Sequence, residues 1–188
     1  MIYETFDASK HDTRKVAKLI YDVDFRTFDL LFKNSDKAIS TIEKQLKKEE
    51  SLEDTKVILD DNSIIGLLIF WISKKPAFYH SLKTVSLKLL IVDILDYFVL
   101  CDVEKGDFHV AELAIDESQR GKGLGSKVLD DVIGYAKGNN LKRVTLDADF
   151  RNTGAKSLYE RIGFKEFNKK RVKIGSFERG MHNMELKL

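Results

Sequence analysis

Apolar residues recur at helical spacing from the start of the chain. Val16, Ala17, Ile20 and Val23, then Phe28, Leu31 and Phe32, follow a candidate cap at Asp12 or Thr13. A second helix is predicted from Ser35 or Asp36, with Ala38, Ile39, Ile42 and Leu46 on one side and a charged, solvated face over 44–50. The β-rich run Val57-Ile58-Leu59, the turn formers Asp60-Asp61-Asn62-Ser63 and the run from Ile64 to Ile72 read as a hairpin. Val85 to Cys101 reads as an amphipathic helix, with a narrow polar stripe (Ser86, Asp93, Asp96) and a wide buried face. From residue 108 the rhythm becomes strand, helix, strand, helix. Phe108 to Ile115 is a strand, and Leu124, Val128, Leu129, Val132, Ile133 and Ala136 mark a helix ending near Gly138. Arg143 to Leu146 is the next strand; Ala155, Leu158, Tyr159 and Ile162 mark the next helix, with Gly163 as its stop. The β-like runs Phe164 to Lys173 and His182 to Leu188 follow. No repeat or low-complexity linker interrupts this order, which predicts a single mixed α/β domain over residues 1–188.

Composition narrows the function classes. A chain of 188 residues with 43% apolar and 33% charged side chains can enclose one sizeable core. Lys plus Arg (32) nearly balance Asp plus Glu (30), so the net charge of +2 gives no electrostatic reason to expect nucleic acid as a partner. The single cysteine, Cys101, excludes a disulfide framework, and His11, His80, His109 and His182 show no metal-ligand spacing, so no metal is expected. The opening MIYETFDASKHD lacks the basic and apolar regions of a secretory signal. Lys88, Asp93 and Asp96 interrupt the one long apolar stretch, where a membrane span needs about 20 apolar residues. The expectation is a cytoplasmic protein with no membrane partner.

The candidate chemistry begins at Arg120-Gly121-Lys122-Gly123-Leu124-Gly125-Ser126, between a predicted strand and a predicted helix. Glycines let the backbone approach a ligand closely, and the free N–H groups and dipole of the following helix suit a phosphate or pyrophosphate. Arg120 and Lys122 add charge-assisted contacts. The loop lacks the Gly-Lys-Ser/Thr ending of a Walker A motif. A dinucleotide fingerprint is nearer, with Gly121-x-Gly123 opening a helix and Asp147 ending the next strand, but Ser126 stands where its last glycine belongs.

Arg120-x-x-Gly123-x-Gly125, led by Ala114-Ile115-Asp116, resembles the pyrophosphate-binding motif of the GCN5-related N-acetyltransferases (GNAT family). Downstream, Asn152-x-x-Ala155-x-x-Leu158-Tyr159-Glu160-x-x-Gly163-Phe164 is similar to that family's second motif. The close resemblance covers residues 108–164. It implies the acyl-CoA N-acyltransferase fold, a mixed sheet with a helical insertion, over about 76–107, between the third and fourth strands. It also implies acetyl-CoA as cosubstrate, in a wedge between splayed parallel strands at 108–115 and 143–148. The pyrophosphate would rest on backbone N–H groups of Gly121, Gly123, Gly125 and Ser126, with Arg120, Lys122 and Leu124 alongside. Leu113, Ala114 and Ile115 would offer backbone hydrogen bonds to the pantetheine arm and one N–H to the thioester carbonyl, as an oxyanion hole does. Asn152 and Ala155 would be further cofactor contacts, and Tyr159 matches the tyrosine that donates a proton to the departing thiolate.

An alkyl ammonium of pKa about 10.4 must be deprotonated before it can attack, so the reaction calls for a base. Glu112, on the strand beside the cofactor, is the first candidate; His109, on the opposite face by strand alternation, is the second. The expected acceptor is a small-molecule amine. A protein amino terminus or lysine is the alternative, and a non-catalytic CoA- or dinucleotide-binding module is a third class. The resemblance implies an acceptor site shaped by the first two helices, where the chain offers Asp22, Asp24, Phe25 and Phe28, and by loops near the last strands, where it offers Phe177 and Arg179. The apolar helix of the insertion would either roof that site or join two copies as a homodimer.

Overall fold

A computed structural model describes residues 1–49, 51–73, 86–175 and 177–188. The elements run β1 (Ile2–Asp7), α1 (Thr13–Val23), α2 (Phe25–Phe32), α3 (Ser35–Glu49), β2 (Ser51–Asp60), β3 (Ser63–Ile72) and α4 (Leu87–Val99). They continue with β4 (Asp107–Ile115), α5 (Leu124–Gly138), β5 (Arg143–Asp149), α6 (Thr153–Ile162), β6 (Lys165–Ile174) and β7 (Phe177–Lys187). The strands form a mixed sheet in the order β1-β2-β3-β4-β5-β7-β6, the α/β class the sequence predicts. Two compact units, each assembled from separated stretches of chain, make up the fold.

The first unit comprises the described residues of 1–70, 80–92 and 112–125. Asp12 caps α1, its carboxylate accepting the N–H groups of Arg14 and Lys15 at 3.0 Å each. The buried side of α1 (Val16, Ala17, Leu19, Ile20) and that of α3 (Ala38, Ile42, Leu46) reflect the packing of these two helices on each other. Where the sequence runs on at helical spacing, the structure breaks at Asp24 (φ −133°, ψ 44°) into two helices, and Lys33 in the left-handed region ends the second. Strands β1, β2 and β3 pair antiparallel in turn. The unpredicted β1 buries only Phe6 fully, so it lacks the alternation that would have announced it.

The second unit comprises the described residues of 71–79, 93–111 and 126–188. The start of β4 runs parallel to β5, from Asp107↔Arg143 to Val110↔Leu146. Strand β5 pairs antiparallel with β7, which pairs antiparallel with β6. Phe108, Val110, Val128, Leu129, Val132, Val144, Leu146 and Met184 are its buried core. Arg143 fastens the base of the sheet, donating to both oxygens of the buried Asp107 (2.8 and 2.9 Å) and to Glu185 (2.8 Å). These two carboxylates raise the guanidinium's hold on its proton, Asp107 foremost.

The start of the expected insertion, at Pro76, lies outside the described residues, as do His80 and the side chains of Asp93 and Phe177. Its helix is present as α4, but among the described side chains the wide buried face is not. Leu89 and Val99 are buried, while Leu87 (72%), Phe98 (58%), Tyr97 and Ile94 are exposed. On the polar stripe, Asp96 turns inward to an ion pair with the buried Arg179 of β7.

Candidate functional site

The glycine loop begins from a fixed point. Asp116, after β4, accepts the Ser118 N–H at 3.1 Å to cap a short turn over Glu117–Gln119, and it pairs with Lys15 of α1. Lys15 above all, then Ser118, hold its carboxyl down at about 2. Beyond the turn, Arg120 is exposed and donates from Nε to the Ile115 carbonyl (3.0 Å), and the Lys122 ammonium donates to Gln119 (2.8 Å). Gly121 (φ 77°) and Gly123 (φ 76°) both hold left-handed conformations. At neither does any atom lie within 4 Å of where a Cβ would stand. Backbone conformation, not packing, therefore requires glycine there, and the space in front of the loop is open. Leu124 opens α5, so the N–H groups of its first turn, including those of Gly125 and Ser126, have no partner within the helix. A helix start with N–H groups unpaired within the helix, its dipole and two cations is suited to a phosphate-bearing ligand.

On β4, Ala114 is buried, Leu113 and Ile115 are half-buried, and a Cβ at Gly66 would stand 2.7 Å from the Ala114 carbonyl oxygen. Glu112 is half-buried, with one carboxylate oxygen out of contact with solvent.

In the second unit, Asn152 caps α6, accepting the Ala155 N–H at 3.0 Å, and Gly163 ends that helix. The Ala155 N–H is thus already used, which leaves a ligand only its other atoms. Tyr159 lies a turn before the stop, its ring beside Phe164. Its phenol is pushed up to about 12, by burial first and then by the charge of Asp147.

His109 does not stand at a strand end near solvent. It is fully buried, stacked on Trp71 at 5.1 Å, and its Nδ1 lies 3.2 Å from the Cys101 sulfur and 3.0 Å from the Thr145 hydroxyl. Its Nε2 is 3.6 Å from Asp147. The Asp147 carboxylate accepts the Cys101 N–H (3.1 and 3.2 Å) and the Asn183 amide, which also donates to the Val99 carbonyl at 3.1 Å. Linear spacing gave no hint that Cys101, His109 and Asp147 meet with sulfur, nitrogen and oxygen atoms within 4.8 Å of one another. Their contacts are those of a hydrogen-bonded network: the carboxylate is occupied by N–H donors, and the ring nitrogen faces a thiol and a hydroxyl. The one available signal was Asp147 itself, an acid directly after the β-like run Arg143 to Leu146.

Residues 20–164 match the Acetyltransferase (GNAT) family. The chain belongs to this family.

Among GNAT proteins, it is 34% identical over 76 residues to an uncharacterised N-acetyltransferase of Methanocaldococcus jannaschii, covering 37% of this chain and 34% of that one. It is 30% identical over 92 residues to N-alpha-acetyltransferase 30 of Schizosaccharomyces pombe, covering 46% of this chain and 61% of that one. The chain thus matches about a third and about three-fifths of these relatives' lengths. Its fold is similar to that of a GNAT family acetyltransferase from Elizabethkingia anophelis with acetyl-CoA bound. The TM-score is 0.56 at 15% identity, with 100% of this chain and 97% of that one covered.

Proposed function

We propose that residues 1–188 form one N-acetyltransferase domain that moves an acetyl group from acetyl-CoA to the primary amine of a small molecule. The observation that carries this reading is the pair of left-handed glycines, Gly121 and Gly123, facing open space at the start of α5. The pyrophosphate of acetyl-CoA would rest on the N–H groups of Gly121, Gly123, Gly125 and Ser126, with Leu124 in the same turn and Arg120 and Lys122 supplying charge. The backbone of Leu113, Ala114 and Ile115 would hold the pantetheine arm and polarise the thioester carbonyl. Asn152 and Ala155, at the start of α6, would contribute to the same ligand.

Glu112 is the preferred base. His109 is enclosed by Trp71, Cys101 and Thr145, so an acceptor amine has no approach to its ring. Tyr159 would return a proton to the thiolate. One specific observation favours a second acceptor, a peptide amino terminus: the match over 92 residues to N-alpha-acetyltransferase 30.

Thermal unfolding with acetyl-CoA, CoA, NAD and ATP in parallel tests the ligand. At about 100 times its dissociation constant a ligand adds roughly 2.7 kcal/mol, and the two CoA forms alone are expected to do so. A shift with NAD alone would replace the acetyltransferase reading with the dinucleotide one. Release of CoA thiol with small amines against short peptides then separates the two acceptors.

A further inference from the structure

Two sides of α4 carry apolar residues, and only one of them is buried. Leu89 and Val99 are enclosed, and Asp96 is paired with the buried Arg179. On the opposite side Leu87, Ile91, Ile94 and Phe98 are all exposed, Ile91 least at 37%. Their spacing of four, three and four residues is the seam of a helix that packs lengthwise on another helix. Leu90 and Tyr97 flank the seam on one edge and Lys88 and Leu95 on the other, so Lys88 is the one charge beside it.

A large apolar side chain offers about 150–250 Å² of surface, so the exposed fractions of Leu87, Ile91, Ile94, Tyr97 and Phe98 leave about 500 Å² per copy. That is at the upper end of what a soluble monomer leaves against water. Two such patches together reach about 1,000 Å², the size at which an interface becomes specific. The seam also matches itself, because positions 87 and 98, and positions 91 and 94, lie symmetrically about the point between residues 92 and 93. A two-fold axis between antiparallel copies therefore sets Leu87 against Phe98 of the partner subunit, and Ile91 against Ile94 of the partner subunit. Charge agrees with this direction. Helix α4 has no basic residue in its last turn, and antiparallel pairing lays Lys88 of each copy beside the last turn of the other, where a cation suits the helix dipole. The Lys88 ammonium also lies over the Phe32 ring, 4.9 Å from its centroid, so the apolar contact carries the pairing and the charge only favours its direction.

We propose that the outer face of α4 is the interface of a homodimer, in which the α4 helices of two copies pack antiparallel about a two-fold axis. The pairing is independent of the ligand that the glycine loop takes. An interface of this size associates weakly, with a dissociation constant of about micromolar order.

Analytical ultracentrifugation of the full chain from about 1 to 300 µM is expected to show the mass rise from one chain to two, and a single-chain mass throughout overturns the proposal. Ile91→Lys and Ile94→Glu each bury an unpaired charge in the seam, and each is expected to weaken association at least about tenfold. Mixed in equal amounts, the two variants are expected to dimerise again, because antiparallel pairing sets the changed position 91 of one against the changed position 94 of the other. Parallel helices would set position 91 against position 91 and restore nothing, so a mixture that stays monomeric overturns the arrangement. A dimer that survives either single change unweakened lies on another surface and overturns it as well. Both positions are exposed, and melting temperatures within about 3 °C of the unaltered chain show that the variants fold. Should either not fold, hydroxyl-radical labelling of Tyr97 and Phe98 in the unaltered chain decides, with protection expected at high concentration and lost on dilution. Protection at every dilution means that the same molecule covers the helix, and labelling at every concentration means that nothing does; both overturn the proposal.

Discussion

The glycine loop and the buried network around Asp147 are built in opposite ways. The loop is contiguous in the chain, exposed over residues 120–123, and open where a Cβ would stand at Gly121 and Gly123. The network draws Cys101, His109, Asp147 and Asn183 from four places in the chain, closes them from solvent, and works through side-chain atoms. A change in the loop should therefore damage ligand binding and spare folding. A change in the network should damage folding first. Tyr159, whose phenol feels the Asp147 charge, sits at the edge of this contrast.

The largest effect is expected inside the network. Asn183→Ala removes a fully buried amide that serves both the Val99 carbonyl and Asp147, leaving a carbonyl and a carboxylate short of a donor. The cost should be about 2–3 kcal/mol, lowering Tm by roughly 5–10 °C in a calorimetric melt. A fall of only a degree would dissolve the contrast. In the loop, Gly123→Val forces a β-branched residue into a left-handed conformation at φ 76°. Acetyl-CoA affinity by calorimetric titration should drop about hundredfold, while the ligand-free Tm falls by only about 2–5 °C. Tyr159→Phe comes next, with kcat about tenfold lower or more and binding intact; a smaller loss would remove the general-acid role.

The smallest effect is a pH dependence. The Asp116 carboxyl is lowered from 3.8 to about 2, so the stability it contributes is present above its unfolded value and lost as pH falls toward 2. Lys15→Met removes the first cause of that shift, and acid unfolding between pH 4 and 2 should become shallower. The pair is partly exposed, so the change at neutral pH should stay under about 1 kcal/mol.

Much of the fold was legible along the chain because its signals are local. Helical spacing announced α3, α5 and α6, and turn formers announced the β2–β3 hairpin. Strand β1 escaped because an edge strand with one fully buried residue shows no alternation. The break at Asp24 escaped because α1 and α2 bury residues at compatible spacing on either side of it. The α4 face was misread because apolar content was taken as a proxy for burial, and the Asp96–Arg179 ion pair turned a polar position inward. In the same way, His109 looked like a base by residue type, while its stacking on Trp71 encloses it.

The sequence alone determined the α/β class, the glycine loop between strand and helix, and the two motifs that resemble the GNAT family. Each depends on residues a few positions apart, whose geometry the local backbone dictates. Only the tertiary structure decided which polar residues meet. Cys101, His109, Asp147 and Asn183 are brought together by strand register and by the loop that follows α4. Hydrogen bonds and charge act over a few ångströms of space, and no spacing in the chain records which distant residues will lie within them.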